Sequence, residues 1–288
     1  MARALLDLGR PDDPVGRLIA LALDEDVGPG DRTAEAVVPA GARGTGLLFA
    51  KESLVVSGIA AAARVFRALD PACDLEALAS EGDKAGPGDG ILRLRGSLRA
   101  ILTGERTALN FLQRLCGIAT LTARYAQALS GTRTRLLDTR KTAPGMRELE
   151  KAAVRAGGGR NHRGALFDGI LVKDNHAAAA GGIGEAVRRA KAAAHPLLKV
   201  EAEVSTPEQI EEALRAGADM LLLDNLGDAE LKKAVQQVNG RVPTEASGNM
   251  TLDRLPRVAA CGLDYVSVGA LTHSAPSADL SLLVETAR

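Results

Sequence analysis

The chain has 288 residues, with 36 Lys and Arg balancing 36 Asp and Glu, 2% aromatics and three cysteines. A neutral, ring-poor chain lacks the basic, stacking surface that nucleic acid requires, and no run approaches the roughly eighteen apolar residues of a membrane span. Cys73, Cys116 and Cys261 are scattered and odd in number, so neither a disulfide framework nor a zinc site is expected, and a cytoplasmic, reducing setting is.

The opening MARALLDLGRPDDPVG has acids and prolines where a secretory signal needs an apolar core. Residues 1–112 read as an α+β domain, with strand-like runs at 45–49, 54–57 and 91–96 around a small-residue helix at 58–69. The turn-formers of EGDKAGPGDG at 81–90 fall between them. Thr103 then reads as an N-cap, and Leu109, Leu112, Leu115 and Ile118 recur at the spacing of a helix with one buried face.

From 113 to 288, apolar runs alternate with amphipathic stretches: TRLLD, GILVKDN, LLKVEAEV, MLLLDN, VPTEAS and YVSVG. Strand, helix, strand at this spacing predicts an α/β fold with parallel strands. About six such strands fall short of the usual eight, so an incomplete (β/α) barrel is expected, its missing sides covered by the N-terminal half or a second subunit. The C-terminal tail is expected to pack back on the N-terminal domain.

Charge is concentrated between Asp138 and His176, where eight Lys and Arg stand among five acids. Arg147, Lys151 and Arg155, about four apart, read as solvated helix charges. GGGRNHR at 157–163 could end the preceding helix through a left-handed cap at Gly157 or its neighbours, or be a flexible backbone presenting Arg160, Asn161, His162 and Arg163 to an anion. His162, beside Arg163, reads as a hydrogen-bonding partner. Strand C-termini in such a barrel converge on one mouth. Arg140, Lys141, His162, Arg163 and Lys173 could then form one cationic wall suited to a polyanion. Glu203 and Asp224 close successive strands and could meet sugar hydroxyls or help hold Mg²⁺, directly or through water. Ser247, Gly248 and Asn249, then Gly269 and Ala270, follow the last two strands, where barrels commonly bind phosphate. Together these features suggest transfer from a sugar phosphate to an acidic acceptor.

Several stretches, GERTALNFLQRLCGIATLT, DTRKTAPGMRELEKAAVRAGGGRNHR, LVKDNH, EAEV, LLDN and SGN, resemble quinolinate phosphoribosyltransferases in the same order. The resemblance implies a type II phosphoribosyltransferase fold, with an N-terminal α+β sandwich before the barrel. It also implies conversion of quinolinate and phosphoribosyl pyrophosphate to nicotinate mononucleotide, pyrophosphate and CO₂, with Mg²⁺, in de novo NAD synthesis. It places Thr139, Arg140, Lys141, His162, Arg163 and Lys173 around the quinolinate carboxylates and pyrophosphate. Lys141, Lys173, Glu203 and Asp224 would serve the chemistry, with Glu203 and Asp224 at the ribose and metal. Ser247, Gly248, Asn249, Ser267, Val268, Gly269 and Ala270 would hold the 5′-phosphate, and Arg106 would reach into the partner's site in a homodimer. EAEV also offers Glu201, and strand alternation sends both acids to one face. Cys116, where the family often has a small hydroxyl residue, reads as packing. The alternatives are the molybdenum-transport-associated paralogue of the same fold, a barrel aldolase using Lys173 as a Schiff base, and a non-catalytic nucleotide sensor.

Overall fold

A computed structural model describes residues 12–286. The reading of the first eleven residues as free of a signal core lies outside them. In chain order the elements begin with α1 (Pro14–Asp26), α2 (Arg32–Val37), β1 (Arg43–Ala50), β2 (Leu54–Val55), α3 (Ile59–Leu69), β3 (Asp74–Ala77), β4 (Lys84–Ala85), β5 (Gly90–Ser97) and α4 (Leu98–Ala128). They continue as β6 (Arg135–Leu137), α5 (Arg147–Ala156), β7 (Ile170–Val172), α6 (Asp174–Ala180), α7 (Ile183–Ala193), β8 (Val200–Val204) and α8 (Pro207–Arg215). The last are β9 (Met220–Asp224), α9 (Asp228–Val238), β10 (Thr244–Ser247), α10 (Leu255–Ala259), β11 (Tyr265–Ser267), α11 (Ala270–His273) and β12 (Leu280–Thr286).

Internal contacts divide the chain into two units. The first comprises the described residues through Ala123, Thr142–Gly158 and those from Thr272 onward. A boundary after residue 112 would cut α4 within an unbroken helix, and α4 stays with the first unit as far as Ala123. The sheet of this unit runs β12-β1-β5-β3 and is antiparallel throughout. Alternation along β1 buries Gly44, Gly46, Leu48 and Ala50 on one face, as a half-covered sheet requires. The C-terminal β12 pairs with β1 from Gly44↔Thr286 to Ala50↔Leu280.

The start of α4 differs from the reading at Thr103. The helix begins at Leu98 directly after β5, and the Ala100 N–H donates to Ser97 Oγ at 3.4 Å. Thr103 lies one turn inside, its hydroxyl donating to Asp31, which itself caps α2. Cys116 is fully buried, its Sγ 3.3 Å from both the N–H and the carbonyl of Ser57, and burial pushes its thiol up to about 12. That environment makes it a packing residue.

Helix α5 corrects one reading. At 3.6 residues per turn Glu150, Lys151 and Val154 share a face, and that face is buried, so Lys151 is 5% exposed and not a surface charge. Arg147 is half-buried and donates to Thr142 Oγ1, while Arg155 is exposed. Gly157 has an ordinary φ of −77°, and the left-handed residue is Gly158, φ +86°. Gly157 is required for space, since a Cβ there would stand 2.4 Å from the Ala119 carbonyl oxygen.

The second unit comprises Arg124–Lys141 and Gly159–Leu271. Its sheet holds six strands in the order β6-β11-β10-β9-β8-β7, all parallel. Every run read as a barrel strand is present. β6 and β7 do not pair, so the barrel is open between them, and β6 takes a single bridge there, Leu137↔Arg160. Val200, Ala202, Val204, Leu221, Leu223 and Ala246 are all at most 1% exposed and form the middle of the core.

Candidate active site

The six strands point their C-termini at one cavity of about 500 Å³, within the range of small-molecule sites. Its walls belong wholly to the second unit. Thr139, Arg140 and Lys141 follow β6, and His162 and Arg163 come from the segment beside it. Leu171 and Lys173 mark β7, Glu203 β8, and Leu222, Asp224 and Asn225 β9. Glu245, Ser247, Gly248 and Asn249 come from β10, and Ser267 from β11. Arg106 is exposed on α4 in the first unit and is not part of the wall. Val268 is buried, donating its N–H to Leu137, and Gly269 and Ala270 also lie outside the lining.

Asp138, immediately after β6 and fully buried, fixes the cationic wall. One carboxylate oxygen accepts the His162 N–H at 2.8 Å and the other the Asn161 side-chain amide at 2.6 Å. Arg160 N–H donates to Leu136 O at 2.8 Å, and Asp138 N–H to Arg160 O at 3.1 Å. The segment after the glycines is therefore laid along the β6 edge, and only His162 and Arg163 of its four polar residues reach the cavity. Asp138→Ala strands two half-buried donors, so it is expected to lower the unfolding free energy by about 2–4 kcal/mol. Urea unfolding checks this, and a loss below about 1 kcal/mol would mean that the segment is held by other contacts.

Arg163 is half-buried, with Nη1 donating to Gly169 O at 2.8 Å. Burial, then Arg140 nearby, pulls its pKa down, with Glu201 and Asp168 acting oppositely. On the facing wall, burial and the Asp224 charge push Glu203 up, with Lys173 acting oppositely. His176, near Lys173 in sequence, accepts the Lys173 N–H on Nδ1 at 3.0 Å and so caps α6. The two acids of EAEV separate by depth: Glu203 lines the cavity, while Glu201 is 6% exposed and meets His162 Nε2 at 2.9 Å. Sequence reasoning missed the roles of Glu201, Asp138 and Glu245, whose signal is an acid inside or at the very end of an apolar strand.

The loop after β10 takes unusual backbone. Gly248 has φ +90° and Asn249 φ +51°, and a Cβ on Gly248 would stand 2.0 Å from Asn225 Oδ1. Turns of this kind form backbone nests for anions. The cavity thus joins four cations, three acidic side chains (Glu203, Asp224 and Glu245) and a glycine turn around one space.

Known proteins agree with this arrangement over nearly the whole chain. The model of the quinolinate phosphoribosyl transferase C-terminal domain matches residues 118–283 and that of the N-terminal domain residues 31–116. The chain belongs to the quinolinate phosphoribosyltransferase family. A probable nicotinate-nucleotide pyrophosphorylase (carboxylating) of Bacillus subtilis is 41% identical over 90% of this chain and 89% of its own. A quinolinate phosphoribosyltransferase (decarboxylating) of Nicotiana glauca is 39% identical over 96% and 84%. The crystal structure of NadC from Streptococcus pyogenes superposes with a TM-score of 0.91 at 40% identity, covering 97% of this chain and 99% of that one. Both family domains are matched, in order, along the chain.

Proposed function

We propose that this chain transfers the phosphoribosyl group of phosphoribosyl pyrophosphate to quinolinate with decarboxylation, giving nicotinate mononucleotide, pyrophosphate and CO₂ for NAD synthesis. The observation that carries this reading is one cavity with a cationic wall facing a carboxylate wall, in a chain of this family. Arg140, Arg163, Lys141 and Lys173 neutralise the two pyridine carboxylates and the leaving pyrophosphate. Glu203 and Asp224 face the ribose hydroxyls, and Ser247, Gly248 and Asn249 receive the 5′-phosphate. The pyridine nitrogen attacks the ribose anomeric carbon as the bond to pyrophosphate breaks. The C2–carboxylate bond then breaks, its electron pair stays on C2 beside the pyridinium nitrogen, and a proton adds there. The residues' work is positioning and charge compensation. No nucleophilic side chain is needed.

Glu203 and Asp224 also fit Mg²⁺. Each is an oxygen ligand of the kind hard cations take, both line the same cavity, and the Asp224 charge, after burial, helps push Glu203 up. Bound with the pyrophosphate substrate, Mg²⁺ would supply charge neutralisation. A homodimer in which Arg106 enters the partner's cavity completes the proposal, with the cytoplasm as its setting. Among the described residues no helix is long and apolar enough to cross a membrane.

The test mixes protein, quinolinate, phosphoribosyl pyrophosphate and Mg²⁺ and follows nicotinate mononucleotide and CO₂. Product with nicotinate but none with quinolinate would sink the reading. Gly248→Ala, which drives a Cβ into Asn225 at a left-handed position, is expected to lower kcat/KM for phosphoribosyl pyrophosphate by about 10–100-fold. Steady-state kinetics with the sugar phosphate varied measures it, and an unchanged KM would remove the turn from the phosphate site.

A further inference from the structure

Two loops at the cavity mouth share a support that stands outside it. Arg254, immediately before α10, is not part of the cavity wall, yet its guanidinium binds main chain on both loops. Nη2 donates to Leu226 O at 2.6 Å, in the loop after β9. Nη1 donates to Gly248 O at 3.2 Å, in the turn after β10, and reaches Asn249 O at 3.5 Å. Nε donates to Asp228 Oδ1 at 2.8 Å, at the start of α9. The Arg254 side chain is 15% exposed, so water competes little for these bonds.

Both loops need holding. Asn225 has φ +56° and Asn249 φ +51°, in the left-handed region that a side chain makes costly. Such backbone persists only where its surroundings fix it. The Asn225 N–H donates to Ser247 O at 3.0 Å and so ties the loops where they leave the sheet. Arg254 adds a charged link one residue further along each, between Leu226 and Gly248. It also sets a peptide plane. A trans peptide carries its C=O and N–H on opposite sides, so a Gly248 carbonyl drawn to the guanidinium turns the Asn249 N–H away from it. Gly248 and Asn249 line the cavity and Arg254 does not, and main-chain N–H groups held in this way are what an anion nest requires.

We propose that Arg254 is a positioning residue for the phosphoribosyl group, clamping the turn at Gly248 and Asn249 to the loop that follows Asp224. The clamp fixes the main chain that receives the 5′-phosphate relative to the carboxylate that meets the ribose. It rests on the transferase reading, which makes that turn the phosphate site. A guanidinium suits the task because its N–H groups diverge in one plane and meet three separate acceptors, Leu226 O, Gly248 O and Asp228. The ammonium of lysine is a single point and cannot span them. Arg257 supplies an internal comparison. It donates to the same carboxylate, at Asp228 Oδ2, at 2.9 Å, but its other bond goes to Asp253 O at 3.3 Å and it holds neither loop.

The test uses the whole protein and two readouts, calorimetric binding of ribose 5-phosphate and steady-state kinetics with each substrate varied. In Arg254→Ala the dissociation constant for ribose 5-phosphate and the KM for phosphoribosyl pyrophosphate are expected to rise about 10-fold, and in Arg254→Lys about 5-fold. The quinolinate KM should stay within about twofold of wild type. Arg257→Ala, which removes an equal charge from the same carboxylate, should match wild type throughout. Guanidinium ion at millimolar concentration should bring the Arg254→Ala constants part of the way back, whereas methylammonium should not.

Unchanged ribose 5-phosphate binding in both Arg254 variants, with Gly248→Ala weakened, would overturn the clamp and leave the turn as the phosphate site. Equal weakening in Arg257→Ala would overturn it too, since the two arginines would then act by charge alone. So would an equal rise of both KM values, the mark of a general loss of structure. If Arg254→Ala does not fold, Arg254→Lys against Arg257→Ala decides. The binding arm needs no turnover. Absence of product from quinolinate therefore sinks the transferase reading alone, with the clamp still decided by ribose 5-phosphate.

Discussion

Arg163→Lys is expected to lower kcat/KM for quinolinate by about 30–1,000-fold, equivalent to about 2–4 kcal/mol, with the effect concentrated in the quinolinate KM. The charge is retained, so a site that needed only a positive point would tolerate the change. Arg163 does more than that. Its Nη1 donates to Gly169 O at 2.8 Å, which fixes the plane of the guanidinium and leaves its other donors for a carboxylate. Lysine cannot hold the carbonyl and make a planar two-point contact at once. The position is also half-buried beside Arg140, so a carboxylate bound with one contact missing sits poorly solvated. The KM for phosphoribosyl pyrophosphate and the melting temperature should move little. Near-normal quinolinate kinetics in Arg163→Lys would show that the wall works by net charge, and that the bidentate geometry inferred for it is wrong.

The barrel was legible because each of its strands announces itself twice. A parallel strand covered on both faces reads as an apolar run, and here each run stops at a polar or ionisable residue that the topology delivers to one mouth. Leu221-Leu222-Leu223-Asp224 is such a run. What strand periodicity could not supply was depth. Glu201 and Glu203 are two apart and point to one side, yet the first is the second residue of β8 and buried, while the second is next to last and lines the cavity. Glu245, two residues before Ser247, is buried too, although it borders the cavity. Counting residues back from the strand end would have separated these acids.

Other features were illegible because they depend on what lies across space. Four-residue spacing marks α5 as a helix but not which face is covered, and Lys151 proved to be on the covered one. Thr103 is a good cap by type, but β5 runs into α4 without a loop, so Ser97 caps first. The glycines at 157 and 158 look alike in sequence. Only contact with the Ala119 carbonyl separates the one needed for room from the one needed for positive φ.

Mixing Arg106→Ala and Arg140→Ala, each inactive alone, is expected to restore about one quarter of wild-type activity if the enzyme is a two-fold dimer with Arg106 acting in the partner's cavity. Arg106 is exposed on a helix of the first unit, and every residue of the cavity wall comes from the second, so Arg106 has no place in the wall of its own chain's cavity. Random reassortment of equal amounts makes about half the dimers mixed. In each mixed dimer the cavity of the Arg106→Ala chain has its own Arg140 and an intact Arg106 from the partner, whereas the other cavity lacks both. One site in two, in half the dimers, gives the quarter. The double variant mixed with an equal amount of wild type supplies the converse. Sites that act independently leave about half the activity, but sites completed in trans leave about a quarter, because each mixed dimer loses both. Recovery of nothing in the first mixture, with exchange of subunits verified by mass, would place Arg106 in its own chain's chemistry or outside it. An unchanged half in the second mixture would place it there too, from the opposite direction.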